Sequence, residues 1–273
     1  MSDRPQTVSQ VALVTGANGA IGLAIARQLA AQPGYELVLV GRDAERMAAA
    51  TQAVQAATGN GQVRYELADL ARQADIVALA RRWTGPLHLL VNNAAATPRQ
   101  RQETAEGLEL QWATNVMGYF WLIQAFRDHL ARSAPARIVN VASYYAGDLD
   151  LSDVEFRRRL YDNNRAYRQS KQANRMLTAA FAQRLAPCNI VVNACHPGDV
   201  NSRLSNDLGF GGQTSPDDGA RTPVWLASHP EAAAYSGQYF AQQRAVPDPL
   251  VQDVAAVEAL YQLCLTYDAT RSA

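Results

Sequence analysis

With 273 residues, 48% of them hydrophobic and 18% charged, the chain has the size and make-up of one large α/β domain with a substantial core. Its 25 basic and 25 acidic residues cancel to a formal net charge of zero, which leaves no electrostatic footprint for nucleic acid. No apolar run approaches the ~20 residues of a membrane span, the opening residues lack the basic and apolar blocks of a signal peptide, and three unevenly spaced cysteines point to a reducing cytoplasm rather than a disulfide framework.

In chain order, short runs rich in Val, Leu and Ile predict strands at 11–15, 36–40, 63–67, 87–92, 137–141 and 189–194, with 238–240 as a short last one. Between them, segments 20–31, 43–58, 71–84, 106–132 and 165–186 carry apolar residues at helical spacing. Strands alternating with helices imply parallel pairing, right-handed crossovers and a doubly wound sheet of about seven strands with helices on both faces. No linker or repeat interrupts the pattern, so residues 1–273 read as a single domain. Two irregular stretches, 144–164 and 199–222, follow strand ends at the edge where open α/β sheets take ligands. The charge block of the first, Asp148, Asp150, Asp153 and Glu155 ahead of Arg157, Arg158 and Arg159, reads as a solvated surface helix rather than an anion site. His88, His129, His196 and His229 lie too far apart for metal-ligand spacing, so no metal site is expected.

The first strand runs straight into Thr15-Gly16-Ala17-Asn18-Gly19-Ala20-Ile21-Gly22, and a helical pattern follows. Gly16 permits a tight turn, Gly19 lets backbone approach a ligand, and Gly22 allows close packing of the helix. The helix N-terminus would then present free N–H groups and partial positive charge to a pyrophosphate. At the tip of the second strand, where NAD-binding folds usually place an acid, stand Gly41 and Arg42. A guanidinium fits a 2′-phosphate and gains little from a hydroxyl, which predicts NADP(H) over NAD(H). The competing reading pairs Arg42 with Asp43 or Glu45 at a helix start.

Lys171 is the only lysine among the 25 basic residues, and it stands four positions after Tyr167. On a helix the two share a face one turn apart. Bringing a tyrosine from ~10 to near 7 needs ~4 kcal/mol. One positive charge at ~4 Å in an effective dielectric of ~20 supplies about that amount. Tyr161 also has a cation four residues on, but Arg165 is too large and delocalised for the same work. No Gly-x-Ser-x-Gly elbow or Gly-Lys-Ser/Thr loop offers hydrolase or P-loop chemistry.

Taken in order, these residues resemble the short-chain dehydrogenase/reductase family from Val11 to about Phe240. The motifs are Thr15–Gly22, Asp69 in Leu67-Ala68-Asp69-Leu70, Asn92-Asn93-Ala94-Ala95, Asn115, Ser143, Tyr167 with Lys171, and Pro197-Gly198. Gly41-Arg42, His196-Pro197-Gly198, the long Ser143–Tyr167 gap and Gly237-Gln238-Tyr239-Phe240 are similar to the retinol-dehydrogenase-like and WW-domain-oxidoreductase-like branch. The resemblance implies an oxidoreductase interconverting a small-molecule carbonyl and an alcohol. Tyr167 would be general acid and base, Ser143 would hold the substrate oxygen, Lys171 would hold the nicotinamide ribose, and Asn115 would anchor a relay water. Thr15, Gly16, Asn18, Gly19, Ile21 and Gly22 would meet the phosphates, Asp69 and Leu70 the adenine, and Asn92 and Ala94 the cofactor's flank. Pro197, Gly198, Val200 and Ser202 would receive the carboxamide.

Two departures stand out. Ala95 replaces the family's usual glycine, and the Ser143–Tyr167 interval is about twice that of the simplest members, so 144–164 and 199–222 are expected to wall the substrate. The helices at 106–132 and 165–186 could pair across a two-fold axis into a dimer or tetramer through Trp112, Tyr119, Phe120, Trp121 and Phe126; an intramolecular core explains them equally. A catalytically silent dinucleotide sensor or scaffold, or a non-redox lyase or epimerase, remain as alternatives. The intact Ser143, Tyr167 and Lys171 count against the first, and the short tail after Phe240 against the second.

Overall fold

The computed structural model describes residues 9–269. The main sheet is built on six parallel strands, apolar on both faces where helices sandwich them. They are β1 (Gln10–Thr15), β2 (Tyr35–Gly41), β3 (Val63–Leu67), β4 (Leu89–Asn92), β5 (Ala136–Val141) and β6 (Ile190–His196). Edge strand β3 is the exception, with Tyr65 and Leu67 exposed. β7 (Tyr239–Ala241) follows in parallel. The expected seven strands become eight because β8 (Arg244–Val246) turns back antiparallel on β7. The sheet order is β3-β2-β1-β4-β5-β6-β7-β8, so the strand order reverses between β1 and β4, opening a crevice at their C-terminal ends.

Helices α1 (Ala20–Ala30), α2 (Ala44–Thr58) and α3 (Gln73–Arg82) match the predicted spans closely. Local chemistry sets the ends of α2: the Asp43 side chain accepts from Arg46 N–H at the start, and Gly59 takes φ +70° at the end. The predicted helix 106–132 departs from expectation. It starts as a π-helical turn, Trp112–Met117, and only then becomes α4 (Gly118–Arg132). α5 (Asn163–Leu185) is capped by Asp162, whose side chain accepts from Arg165 N–H. Three helices were not legible in the sequence: α6 (Arg203–Asp207), α7 (Pro216–Ser228) and α8 (Val254–Ala269).

α8 lies over α5 and decides the fate of the aromatic cluster. Tyr261 packs edge-on against Phe120 and Phe181, and Tyr267 faces Trp112. Trp112, Tyr119, Phe120, Trp121 and Phe126 are all buried within the chain. The intramolecular reading therefore holds, and none of these aromatics is left for a two-fold contact. Among the described residues, no helix is long and apolar enough to cross a membrane, and no cluster of metal-ligating side chains occurs.

Segment 144–162 is not the expected surface helix. It is irregular, and Asp153 and Glu155 are buried in it. Asp153 accepts N–H bonds from Arg157, Arg158 and Arg159 in succession. A stretch without regular structure must find other partners for its backbone donors, and a carboxylate with several lone pairs is a compact way to do so.

Candidate active site

At the β1–α1 turn the glycines do two different jobs. Gly16 sits at φ +63°, and a Cβ there would lie 2.8 Å from the Ala94 Cα; a Cβ on Gly22 would lie 2.3 Å from the Gly16 carbonyl oxygen. These two are demanded by internal packing. Gly19 is exposed and a Cβ there would meet only the Gly16 carbonyl at 3.3 Å, so its open side is available for a ligand. Gly19 caps α1 without a side-chain hydrogen bond, and no acid stands in the first turn. The helix thus offers bare N–H groups to an anion. Thr15 is buried and braces this cradle from behind: its hydroxyl donates to the Val91 carbonyl at 3.2 Å and accepts from Asn93 N–H at 2.8 Å and Ala94 N–H at 3.1 Å. Asn18 and Ile21 lie half-buried on the cradle.

Beside it, Arg42 stands at the lip of a groove lined by Asp43, Leu67, Ala68, Asp69 and Asp75. Its guanidinium is 69% exposed and meets Asp69 at 3.8 Å, not Asp43 or Glu45. The Asp69 side chain also accepts from Ala71 N–H at 3.1 Å. Leu70 points its side chain into the core, leaving only backbone toward the groove. A Cβ on Gly41 would lie 2.5 Å from Sδ of fully buried Met47, so a larger residue there would require the Met47 side chain to shift.

At the far end of the crevice, Ser143, Tyr167 and Lys171 come together, from the loop after β5 and one face of α5. All three are buried. The Ser143 hydroxyl, which accepts from Tyr145 N–H at 3.0 Å, stands close enough to the Tyr167 phenol to lower its proton affinity. The Lys171 Nζ lies 5.5 Å from the Tyr167 ring centroid and 5.7 Å from that of Tyr119, and donates to the Val141 carbonyl at 2.8 Å. Burial without a carboxylate partner brings the lysine down to about 7, with the Cys195 thiol opposing. Burial likewise pushes Tyr167 up to about 12, against the nearby Ser143 hydroxyl and with Asp199 adding to the rise. The simple Coulomb expectation of an acidified phenol is thus outweighed here by desolvation of both groups.

Asn115 sits in the π turn with its amide engaged. Its Oδ1 accepts from Ala96 N–H at 2.8 Å, and its Nδ2 donates to the Ala96 carbonyl at 3.1 Å and to Ser170 Oγ at 3.2 Å. Asn92 donates to Asn140 at 2.9 Å but keeps a buried Oδ1 with no partner.

The comparison with known proteins decides the family. Residues 10–209 match the short chain dehydrogenase family. The chain belongs to the short-chain dehydrogenases. It is 33% identical to retinol dehydrogenase 13 of Mus musculus over 270 residues, covering 91% of this chain and 80% of that one. Retinol dehydrogenase 11 of the same species is 34% identical over 249 residues, with 86% and 78% covered. Among solved structures, the Pseudomonas aeruginosa RhlG/NADP complex superposes with TM-score 0.69 at 26% identity, covering 88% of this chain and 97% of that one. A short chain dehydrogenase from Burkholderia cenocepacia J2315 in complex with NADP gives 0.68 at 25%, covering 85% and 95%. This short-chain dehydrogenase is therefore an NAD(P)-dependent oxidoreductase of the retinol-dehydrogenase-like branch.

The remaining motif residues of this dehydrogenase fall around the same crevice. Gly198 takes φ +93°, Val200 is buried and bridges Thr214, and Ser202 spends its hydroxyl capping α6 through Ser205. Pro197 precedes that turn directly after β6. Ala95 has no positive φ, so its methyl carries no backbone strain. Tyr161 is tied elsewhere: its hydroxyl donates to the Pro98 carbonyl at 2.9 Å and accepts from Gln111. Three features escaped the sequence reading. His196 keeps a buried, unpartnered Nδ1 edge-on to Tyr144 at 4.6 Å and is pushed down to about 4 by burial. Met47 crowds the site of Gly41. Arg175 forms a buried bidentate pair with Asp248 and stacks 3.8 Å over Tyr239. Only the first had a signal, the His196-Pro197-Gly198 run after β6.

Proposed function

We propose that the chain is an NADP(H)-dependent oxidoreductase that interconverts a carbonyl and an alcohol, with Tyr167 as general acid in reduction and base in oxidation. The observation that carries this reading is the buried grouping of Ser143 and Tyr167 with the chain's only lysine, at the same crevice as the open glycine cradle. The cradle suits a dinucleotide: Gly19 is free of obstruction, the α1 N-terminus is uncapped, and the buried Asn92 Oδ1 lacks a partner. Gly16, Gly19 and Gly22 with Asn18 and Ile21 would hold the pyrophosphate, Asp69 and the exposed face of Leu67 the adenosine, and Asn92, Ala94, Lys171 and Pro197–Ser202 the nicotinamide half. When bound, the cofactor supplies the hydride.

The chain's own residues handle position and protons. Ser143, buried beside Tyr167, would hold the substrate oxygen next to the phenol. Tyr167, held at about 12 in the free site, is protonated across neutral pH and so stands as the donor for reduction. Lys171 has three donor hydrogens and one acceptor, the Val141 carbonyl, which leaves donors free for a ribose hydroxyl. Because the Asn115 amide is engaged, a relay water would meet that turn through its widened backbone. At the adenosine end, an acid at position 41 would have to displace Met47, and the long Arg42–Asp69 contact is easily exchanged for a 2′-phosphate. Both favour NADP(H). The three free cysteines suit a cytoplasmic setting. An NADPH-oxidation screen across aldehydes, ketones and quinones, with Tyr167→Phe as control, tests the proposal; equal rates in wild type and control would sink it.

A further inference from the structure

α8 lies outside the residues 10–209 that match the family, yet one side chain connects it to the wall of the crevice. Tyr267 Oη donates to Glu155 Oε1 at 3.0 Å. Glu155 Oε2 in turn accepts from Glu109 N–H at 2.9 Å and from the Arg157 guanidinium at 3.1 Å. Glu109, fully buried, spends both carboxyl oxygens on the start of the π turn, accepting from Gln111 N–H at 2.9 Å and Trp112 N–H at 2.6 Å. The Gln111 amide then reaches Tyr161 Oη at 2.8 Å and Asn163 Oδ1 at 3.0 Å, at the other end of the irregular segment, while its oxygen meets Asn115 Nδ2 at 3.4 Å. An unbroken chain of hydrogen bonds thus runs from the C-terminal helix, through segment 144–162, to the turn that bears Asn115.

We infer that Tyr267, Glu155 and Glu109 form a clamp by which α8 positions segment 144–162 and the Asn115 turn, so that the C-terminal helix sets how tightly substrate is held. The three are positioning residues; none needs to touch a reacting atom. The segment has no ladder of its own; its backbone donors at Arg157, Arg158 and Arg159 converge on Asp153, while Glu155 ties it to Glu109 and Tyr267 outside it. A buried carboxylate carrying several N–H bonds holds a loop rigidly only while each of its oxygens is satisfied. Tyr267 supplies the bond to Glu155 Oε1 that no residue within the segment provides. On the α5 side the same segment is fastened by Gln169, whose amide donates to the Val154 carbonyl at 2.6 Å and whose oxygen accepts from Arg159 at 3.1 Å. Gln169 is two residues from Tyr167, so slack in the segment is transmitted to the phenol's neighbourhood. The link to substrate rests on the proposed carbonyl–alcohol reaction; the clamp itself does not.

Tyr267→Phe is the test, because it keeps the ring against Trp112 and deletes only the hydroxyl. Amide hydrogen exchange in residues 153–161 is expected to quicken on the order of tenfold, with exchange in β1–β6 unchanged. NADPH affinity, read by fluorescence of the bound nicotinamide, should stay within about twofold. With decanal as the carbonyl probe, KM should rise on the order of tenfold while kcat holds. Glu155→Gln, which keeps the shape of the acceptor, should move exchange the same way. Unchanged exchange at 153–161 in both variants, or faster exchange spread evenly over the sheet, overturns the clamp. A wild-type chain that turns over no carbonyl would refute the proposed reaction instead, and the exchange result would still decide the clamp.

Discussion

Around Gly16–Gly22 the atoms that shape the cleft are backbone atoms and the absence of side chains, whereas around Tyr167 they are side chains drawn from the loop after β5, α5 and the π turn. The first region is held by contacts that span few residues or join adjacent strands. The second depends on pairs such as Glu109–Glu155 and Glu155–Tyr267, separated by 46 and 112 positions in the chain. A backbone cradle tolerates most changes except at its glycines. A side-chain site fails by single substitutions, and its protonation states answer to burial.

The sharpest way to break the comparison is at the phenol. Tyr167→Phe should cost roughly 10²–10⁴-fold in turnover while NADPH binding, measured by fluorescence, is retained; a parallel loss of binding would mean that the two regions are not separable. Next comes Lys171→Arg. The lysine is 2% exposed and has one acceptor, so the larger guanidinium should overpack the site, lowering activity about 10²-fold and stability by roughly 1–3 kcal/mol. Steady-state rates and a urea titration read both, and full activity would return the lysine to a structural role.

At the cradle end the effects are smaller. Arg42→Ala should weaken NADPH about tenfold and leave NADH nearly untouched, as compared by KM for each cofactor. An equal change for both would remove the 2′-phosphate argument.

The last test concerns pH and reads stability rather than turnover or binding. Burial raises Glu109 to about 7 from the ordinary 4.5, against the N–H bonds of Gln111 and Trp112. A raised native value means that the folded state holds a proton the unfolded state has lost. Its stabilising contribution is complete below 4.5 and is lost as pH rises towards 7, up to about 3 kcal/mol. His196, lowered to about 4 from 6.5, tilts stability the opposite way over that interval. The difference between wild type and Glu109→Gln therefore carries the sign. In urea unfolding at pH 5 and pH 8, the glutamine variant should gain on wild type at the higher value, and a constant difference would contradict the buried-acid picture.

Strand positions and the glycine turn were legible because both are local: an apolar run buried on two faces and a turn that excludes Cβ atoms leave their marks within a few residues. The pairing of Tyr167 with Lys171 was legible for the same reason, since one helical turn fixes it. α8 was not read, although its apolar residues are plain, because nothing nearby says which surface a terminal helix will cover. The charge block 148–159 was misread as a solvated helix, since its composition is the same whether its acids face water or collect backbone donors inside.

The sequence by itself determined the doubly wound sheet, the glycine turn and the Tyr167–Lys171 pair. Their physical causes are burial periodicity, steric exclusion and helical spacing, all of which operate over short stretches of chain. Only the tertiary structure decided that the aromatics of α4 stay internal, that Met47 crowds position 41, and that Glu109 and Glu155 are buried as a hub. Each of these depends on which distant surfaces meet. It also decided the proton affinities, raising Tyr167 and lowering Lys171, because desolvation is a property of the packed interior and has no counterpart in the order of residues.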